Sequence, residues 1–357
     1  MYRKISIALA GLLMISTIIT GCSETKTPEP TKTPIQPISE EVNWMIDDTT
    51  VAATITRPDN DGPHPAIVFV PGSGPTDRDW NSPLLPGTNG SARLLAEELA
   101  KAGYISIRYD KRFTGPNAEQ NLPLMMGKIS LWGHEEEIAG AVNQLLNRSD
   151  VNHKQIFVLA NSEGTIHALN YQWDREPKFA GLILTGTPGR SLANITHSQI
   201  EAQVAVLPNA QEIMTGYDKL VIDFLAGKPF VADPSLPEGI NNLVAGFYQP
   251  INLPFTREIL TVDTASLIGR NEEPLLIIIG KKDIQVDWQV DGTLLEQSAK
   301  ENAIFIYPEN ANHVLKYEAK PQEELSATDG LNYNAEDKFL DTETVEIIKN
   351  WLVEHTQ

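Results

Sequence analysis

The chain has a single cysteine, Cys22, in 357 residues. An intramolecular disulfide framework and a cysteine-based metal site are both excluded, so the fold must rest on packing. Positive charge is also scarce: 28 Lys and Arg stand against 47 Asp and Glu, for a formal net charge of −19. That balance argues against nucleic acid as a partner and against adhesion to anionic lipid through a basic face. No H-x-x-x-H pattern with a further ligand occurs, and no metal is expected. The stretch "PGSGP" (residues 71–75) lacks the Gly-Lys-Ser/Thr ending of a P-loop and the later glycine of a dinucleotide fingerprint, so no cofactor is implied. What is present is a composition 41% hydrophobic and 21% charged, enough to bury a large core as one big domain or two small ones. No internal repeat is visible.

The N-terminus runs from Arg3 and Lys4 through "ISIALAGLLMISTII" to "TGCSE", a basic region, an apolar stretch of signal-peptide length and small residues before a cysteine. This resembles a bacterial lipoprotein signal with Ile19-Thr20-Gly21-Cys22 as its lipobox, Ile19 replacing the usual leucine. The resemblance implies a leader over residues 1–21, cleavage before Cys22 and lipidation of its thiol. A single transmembrane anchor is the alternative, and the run is short for a span. Either way the rest of the chain is expected outside the cytoplasm, on the cell membrane or outer membrane. Residues 22–39, rich in Thr, Pro, Glu and Lys, read as a flexible tether to a domain over 40–357.

From Glu40 the pattern alternates. "EVNWMI" and "VAATITRP" read as an opening pair of strands, and "AIVFV" (residues 66–70) as a strand buried on both faces. "SARLLAEELAKAG" places Leu94, Leu95, Leu99 and Ala102 on one helical stripe and stops at Gly103. Strand "YISIRYD", helix "LWGHEEEIAGAVNQLLNR", strand "QIFVLA" with its following helix, and strand "FAGLILTG" continue the series. The alternation fails over about 188–271, which reads as a mostly helical insertion, and resumes with "PLLIIIG", "DGTLLEQSAKEN", "AIFIYP" and "TETVEIIKNWLVEH". Strands separated by helices predict an α/β fold: a mainly parallel central sheet with helices on both faces.

In such a sheet, reactive groups converge on the loops beyond the carboxyl ends of the strands. Three of these loops carry suitable residues: Ser162 after "IFVLA", Asp283 after "LLIIIGKK" and His313 after "AIFIYPENAN". A serine hydroxyl needs a base to take its proton and a third group to orient that base. Ser162 in a strand-to-helix corner could serve only as a helix N-cap, but ordered partners downstream favour a nucleophile. Asp287 and Glu309 compete with Asp283 for the acid. His64 and His153 stand before strands, at the far edge of the sheet, and His167 points away from Ser162 along its helix.

Taken together, the residues resemble the α/β-hydrolase superfamily, in its esterase and serine-aminopeptidase-like branch. The order Ser, Asp, His is that of the family. "FVPGSGPTDRDW" resembles its oxyanion loop, with Pro71 replacing histidine, and "RYDKRFTG" its next strand end. "LANSEGT" resembles its nucleophile elbow, with Ala160 in place of the first glycine of G-x-S-x-G, and "IIIGKKDIQV" and "NANHVLK" its acid and histidine loops. The resemblance implies an α/β-hydrolase fold in which the insertion acts as a lid. It also implies an oxyanion hole built from the backbone N–H groups of Ser73 and Glu163. Asp77, Arg78 and Asp79, like Asp110, Lys111 and Arg112, read as an ion-pair network holding that loop.

The expected activity is that of a lipid-anchored serine hydrolase, foremost a carboxylesterase acting on a small-molecule ester through an acyl-enzyme on Ser162. A serine aminopeptidase or amidase is the alternative, and it would need carboxylates such as Glu201, Glu212, Asp218 and Asp223 to hold a free amine. A non-catalytic binding lipoprotein of the same fold is a third reading. Leu220, Phe224, Phe230 and Phe247 of the insertion either face the serine or form the insertion's own core.

Overall fold

The computed structural model describes residues 35–356. The expected leader, Cys22 and most of the expected tether lie outside the described residues. A hairpin of β1 (Ile38–Ile46) and β2 (Thr49–Arg57) is followed by β3 (His64–Val70), α1 (Ser91–Lys101), β4 (Ile105–Tyr109) and α2 (Ala118–Met125). Next come α3 (Leu131–Leu146), β5 (Val151–Asn161), α4 (Glu163–Asp174) and β6 (Leu182–Thr185). Five helices then intervene: α5 (Leu192–Val204), α6 (Ala210–Leu225), α7 (Glu238–Phe247), α8 (Phe255–Ile259) and α9 (Thr264–Arg270). The chain returns through β7 (Leu275–Ile278), α10 (Val290–Ser298) and β8 (Ala303–Ile306) to α11 (Thr342–His355). Ile38 and Ser39, expected in the tether, already pair with Arg57 and Thr56. The hydrogen-bonding partner, not composition, sets where β1 begins.

The strands form one sheet in the order β1-β2-β4-β3-β5-β6-β7-β8. β2 runs antiparallel to β1 and β4, and the remaining pairs are parallel. Side chains alternate across a strand, so a strand buried on both faces feeds two cores. In β3, Ala66, Val68 and Val70 join Ile138 and Val142 of α3 and Ala168 of α4, while Ile67 and Phe69 join Leu95 of α1 and Ile348 of α11. The helices thereby divide between the two faces, and the parallel strands all deliver their carboxyl ends to one edge.

The buried stripe of α1 is Ala92, Leu95, Ala96, Leu99 and Ala100. Leu94 is half-buried and Ala102 exposed. Small alanines let α1 approach the sheet more closely than a leucine stripe would. The helix stops as expected at Gly103, whose φ of 95° suits a residue without Cβ.

Three of the inserted helices, α5, α6 and α7, close around their own apolar centre, while Ile268 of α9 joins the core of the sheet. Leu220 packs with Ile213, Tyr217 and Val244, and Phe230 and Phe247 lie against that cluster. Phe224 meets the rings of Phe247 at 5.5 Å and Tyr248 at 4.8 Å. These aromatic residues are the insertion's own core. Among the described residues no helix is long and apolar enough to cross a membrane.

Candidate active site

Ser162 stands between β5 and α4 with φ 55° and ψ −127°, a conformation few residues other than glycine adopt. The corner is tight on both sides. A Cβ on Gly164 would lie 2.5 Å from the Pro71 carbonyl oxygen, so glycine is required where α4 passes the end of β3. Ala160 is fully buried on the α3 and α4 face of the sheet, between Val70 of β3 and Leu184 of β6. One methyl group fits there. The Ser162 N–H donates to the Thr185 carbonyl at 2.8 Å, and its own carbonyl accepts the Thr165 N–H at 3.0 Å. The backbone is pinned at both ends while the side chain stays partly open.

The structure brings His313 and Asp283 together. His313 Nδ1 lies 2.7 Å from Asp283 Oδ2, with both residues buried. The other carboxylate oxygen accepts the N–H groups of Gln285 at 2.7 Å and Val286 at 2.9 Å, which fixes the acid in its loop. Asp287 is used differently, accepting the N–H groups of Gln289 and Val290 at the start of α10. Glu309 pairs with Lys281 at the surface. The His313 loop is tied to the Ser162 corner by Asn161, whose side chain donates to the His313 carbonyl at 3.0 Å and to Thr185 Oγ1 at 3.1 Å. Gly186, with φ 56°, makes room for the imidazole: a Cβ there would lie 3.1 Å from its ring.

The loop after β3 lies over Ser162. A Cβ on Gly72 would sit 3.3 Å from the Ser162 Cβ. Ser73 therefore follows a residue in contact with the serine, and Glu163 opens α4 immediately after it. The expected ion-pair network is present. Arg78 grips Asp110 through Nε at 3.0 Å and Nη2 at 2.7 Å, and Arg108 pairs with Asp79. Asp77 accepts the N–H groups of Asp79 and Asn81 at 2.9 Å, and Arg112 reaches Glu137 at 3.1 Å. Lys111 is the exception. Its ammonium makes no carboxylate bond there but donates to the carbonyls of Gly72 at 2.6 Å and Gly74 at 2.5 Å.

Behind Ser162 lies a buried cluster that the sequence did not disclose. His167 Nε2 is 3.3 Å from Glu163, His134 Nδ1 is 3.0 Å from Glu137, and the two imidazoles stack with centroids 4.3 Å apart. Phe255 of α8 meets the His134 ring at 5.0 Å, so the insertion docks on this stack. Burial alone would raise the Glu163 carboxyl, but the bond to His167 and the charge of Lys111 outweigh it and hold it at about 2. Burial and the adjacent His134 push His167 down to about 4, leaving a neutral ring at ordinary pH. The signal available beforehand was the i, i+4 spacing of Glu163 and His167, which puts both on one helical face.

The insertion carboxylates do not gather around an amine site. Asp223 pairs with Lys219 at 2.8 Å and Lys228 at 2.6 Å, Asp218 lies 3.3 Å from His197, and Glu201 and Glu212 are exposed. A cleft of about 460 Å³ opens beside Asp283, walled by Arg190, Ile195, Gln285, Trp288, Gln322 and Leu325 among others. Neither Ser162 nor His313 is among its walls, so it flanks the serine corner rather than forming it. Among the described residues no cluster of His, Cys, Asp or Glu is arranged to hold a metal ion.

No protein-family model matches the sequence. A curated relative, esterase EstD of Thermotoga maritima, is 26% identical over 264 residues, 73% of this chain and 57% of the relative. The chain thus spans little more than half the length of that relative. Among solved structures, the α/β-hydrolase GrgF from Penicillium sp. sh18 superposes with a TM-score of 0.54 at 16% identity, covering 89% of this chain and 99% of that one. Est1E of Butyrivibrio proteoclasticus with ferulic acid bound gives 0.51 at 13% identity over 88% and 98% of the two chains. The proline iminopeptidase of Mycobacterium smegmatis gives 0.50 at 14% identity over 88% and 98%. With the strand order, the crossover helices and these likenesses in agreement, the chain has the fold of the α/β-hydrolase superfamily.

Proposed function

We propose that the protein is a serine hydrolase of the carboxylesterase kind, held outside the cytoplasm by a lipid on Cys22. The observation that carries the chemical part is the 2.7 Å contact between His313 and Asp283, in a loop that Asn161 ties to the strained Ser162 corner. In this reading Ser162 Oγ attacks the ester carbonyl carbon while His313 Nε2 takes its proton. Asp283 stabilises the imidazolium that forms. The oxyanion is received by the N–H groups of Ser73 and Glu163. Collapse expels the alcohol, which takes its proton from His313, and water activated by the same imidazole releases the acid.

The ester is favoured over the amide because the curated relative is an esterase and the insertion carboxylates are engaged or exposed at the surface. The soluble domain should hydrolyse short p-nitrophenyl esters and not aminoacyl anilides, and Ser162→Ala should remove that activity. Equal rates for the two proteins would sink the assignment. A fluorophosphonate probe that fails to label Ser162 would favour the non-catalytic reading. For the anchor, the full chain should partition with membranes and Cys22→Ser should release it.

A further inference from the structure

Lys111 is 1% exposed and stands two residues beyond the end of β4. A buried ammonium is costly unless its donors are used and its charge is met. Its donors go to the Gly72 and Gly74 carbonyls, on either side of Ser73. The carbonyl and N–H of a trans peptide point in opposite directions. The Gly72 carbonyl shares its peptide with the Ser73 N–H, so holding that carbonyl on Lys111 turns the N–H the other way. Gly72 itself is packed against Ser162.

The charge is met from two helices. Burial pushes the Lys111 ammonium below the ordinary lysine range, and Glu163 of α4, then Glu137 of α3, oppose that shift. His167 on α4 also feels the lysine's charge and is bonded to Glu163, while His134 on α3 is bonded to Glu137, and the lysine's own segment adds Asp110, bound to Arg78, and Arg112, bound to Glu137. Both residues expected to donate to the oxyanion therefore connect to one buried cation: Ser73 through the clamped peptide, Glu163 through its carboxylate.

We propose that Lys111 is a positioning residue for the oxyanion hole, fixing the Ser73 N–H by clamping the carbonyls on either side of it, with the Glu163 carboxylate as its counterion. The proposal rests on Ser162 being the nucleophile. A lysine that merely closed a loop would affect folding, but would not separate kcat from KM.

The test compares wild type, Ser162→Ala, Lys111→Met and Glu163→Gln on a short p-nitrophenyl ester. It also measures inhibition by an aryl trifluoromethyl ketone, whose adduct with serine carries an oxyanion. Lys111→Met should lose about 30-fold or more in kcat, with KM within about threefold of wild type. Ketone affinity should fall by a similar factor to kcat/KM. An Lys111→Met protein that folds and keeps wild-type kcat, or whose loss lies in KM alone, overturns the proposal. If that variant fails to fold, Glu163→Gln decides: removing the counterion should move the alkaline limb of kcat to lower pH, and an unmoved limb overturns it. A wild type without Ser162-dependent hydrolysis removes the reading beneath the proposal, and the proposal falls with it. The Ser162→Ala comparison tells that failure apart from a failure at Lys111.

Discussion

The central sheet and the insertion between β6 and β7 are both built from apolar residues at regular spacing, yet they use them to different ends. In β3 and β5 alternate side chains enter two separate cores, and the strands can neither slide nor tilt without opening one of them. Each carboxyl end is thereby a fixed point: β5 delivers Ser162, β7 leads to Asp283 and β8 to His313. The insertion keeps its aromatic residues to itself, around Phe224, Phe247 and Tyr248, and meets the site's surroundings through Phe255 on the His134 and His167 stack. The sheet fixes where these three residues stand. The insertion keeps a separate apolar cluster in α5 to α7 and joins the sheet's core through Ile268 of α9.

That contrast can be broken first at the acid. Asp283→Asn should lower kcat by about 10,000-fold, while Asp287→Asn and Glu309→Gln should stay near wild type in steady-state ester hydrolysis. A severe loss in either of the latter two would mean that the strand ends do not assign the roles as described. The corner comes next. Ala160→Leu forces a large side chain between β3, β6 and the helices and should cost about 1–3 kcal/mol with loss of activity, whereas Ala160→Gly should remain active. An active leucine variant would show that the sheet around β5 is less tightly packed than its burial implies.

In the insertion, Phe224→Ala should cost about 3–5 kcal/mol locally. Amide exchange should quicken over α5 to α7 while the amides of β3 and β5 remain protected. Uniform quickening would join the two regions into one cooperative unit. The junction between them should respond to acid. His167 titrates at about 4 rather than 6.5, so within that window the unfolded chain binds a proton that the folded one refuses. Stability therefore falls as pH falls from 6.5 towards 4. Melting temperatures across that range should show a shallower slope in His167→Gln, which keeps a donor for Glu163. The smallest effect is expected at the insertion surface: Asp223→Asn should leave both ester turnover and melting temperature unchanged, since its two lysine partners are exposed.

Much of the fold could be read from the chain because its signals are local. "AIVFV" and "QIFVLA" are continuous apolar runs, Gly103 ends α1, and Gly164 follows Ser162 at the spacing a sharp strand-to-helix corner needs. Other features carried no such signal. The helix α2 contains Pro123 and buries little besides Asn121 and Met125, so its periodicity is weak. Residues 322–332 form two short 3₁₀ stretches beyond His313, where charged and small residues give no apolar stripe. The α1 stripe was misplaced because alanine's small side chain, weakly apolar in sequence, packs closest.

By itself the sequence determined the order of the strands and of the helices that cross between them, the burial of the central strands, and a serine, an aspartate and a histidine at three strand ends. Periodicity and turn chemistry act between near neighbours and are written in consecutive residues. Only the tertiary structure decided that His313 takes Asp283 rather than Asp287 or Glu309, and that the insertion's aromatic residues face one another. It alone placed the Lys111 ammonium on the Gly72 and Gly74 carbonyls rather than in an ion pair. Those outcomes depend on distances between residues far apart in the chain, and on how much desolvation each buried charge must recover from the partners that packing sets beside it.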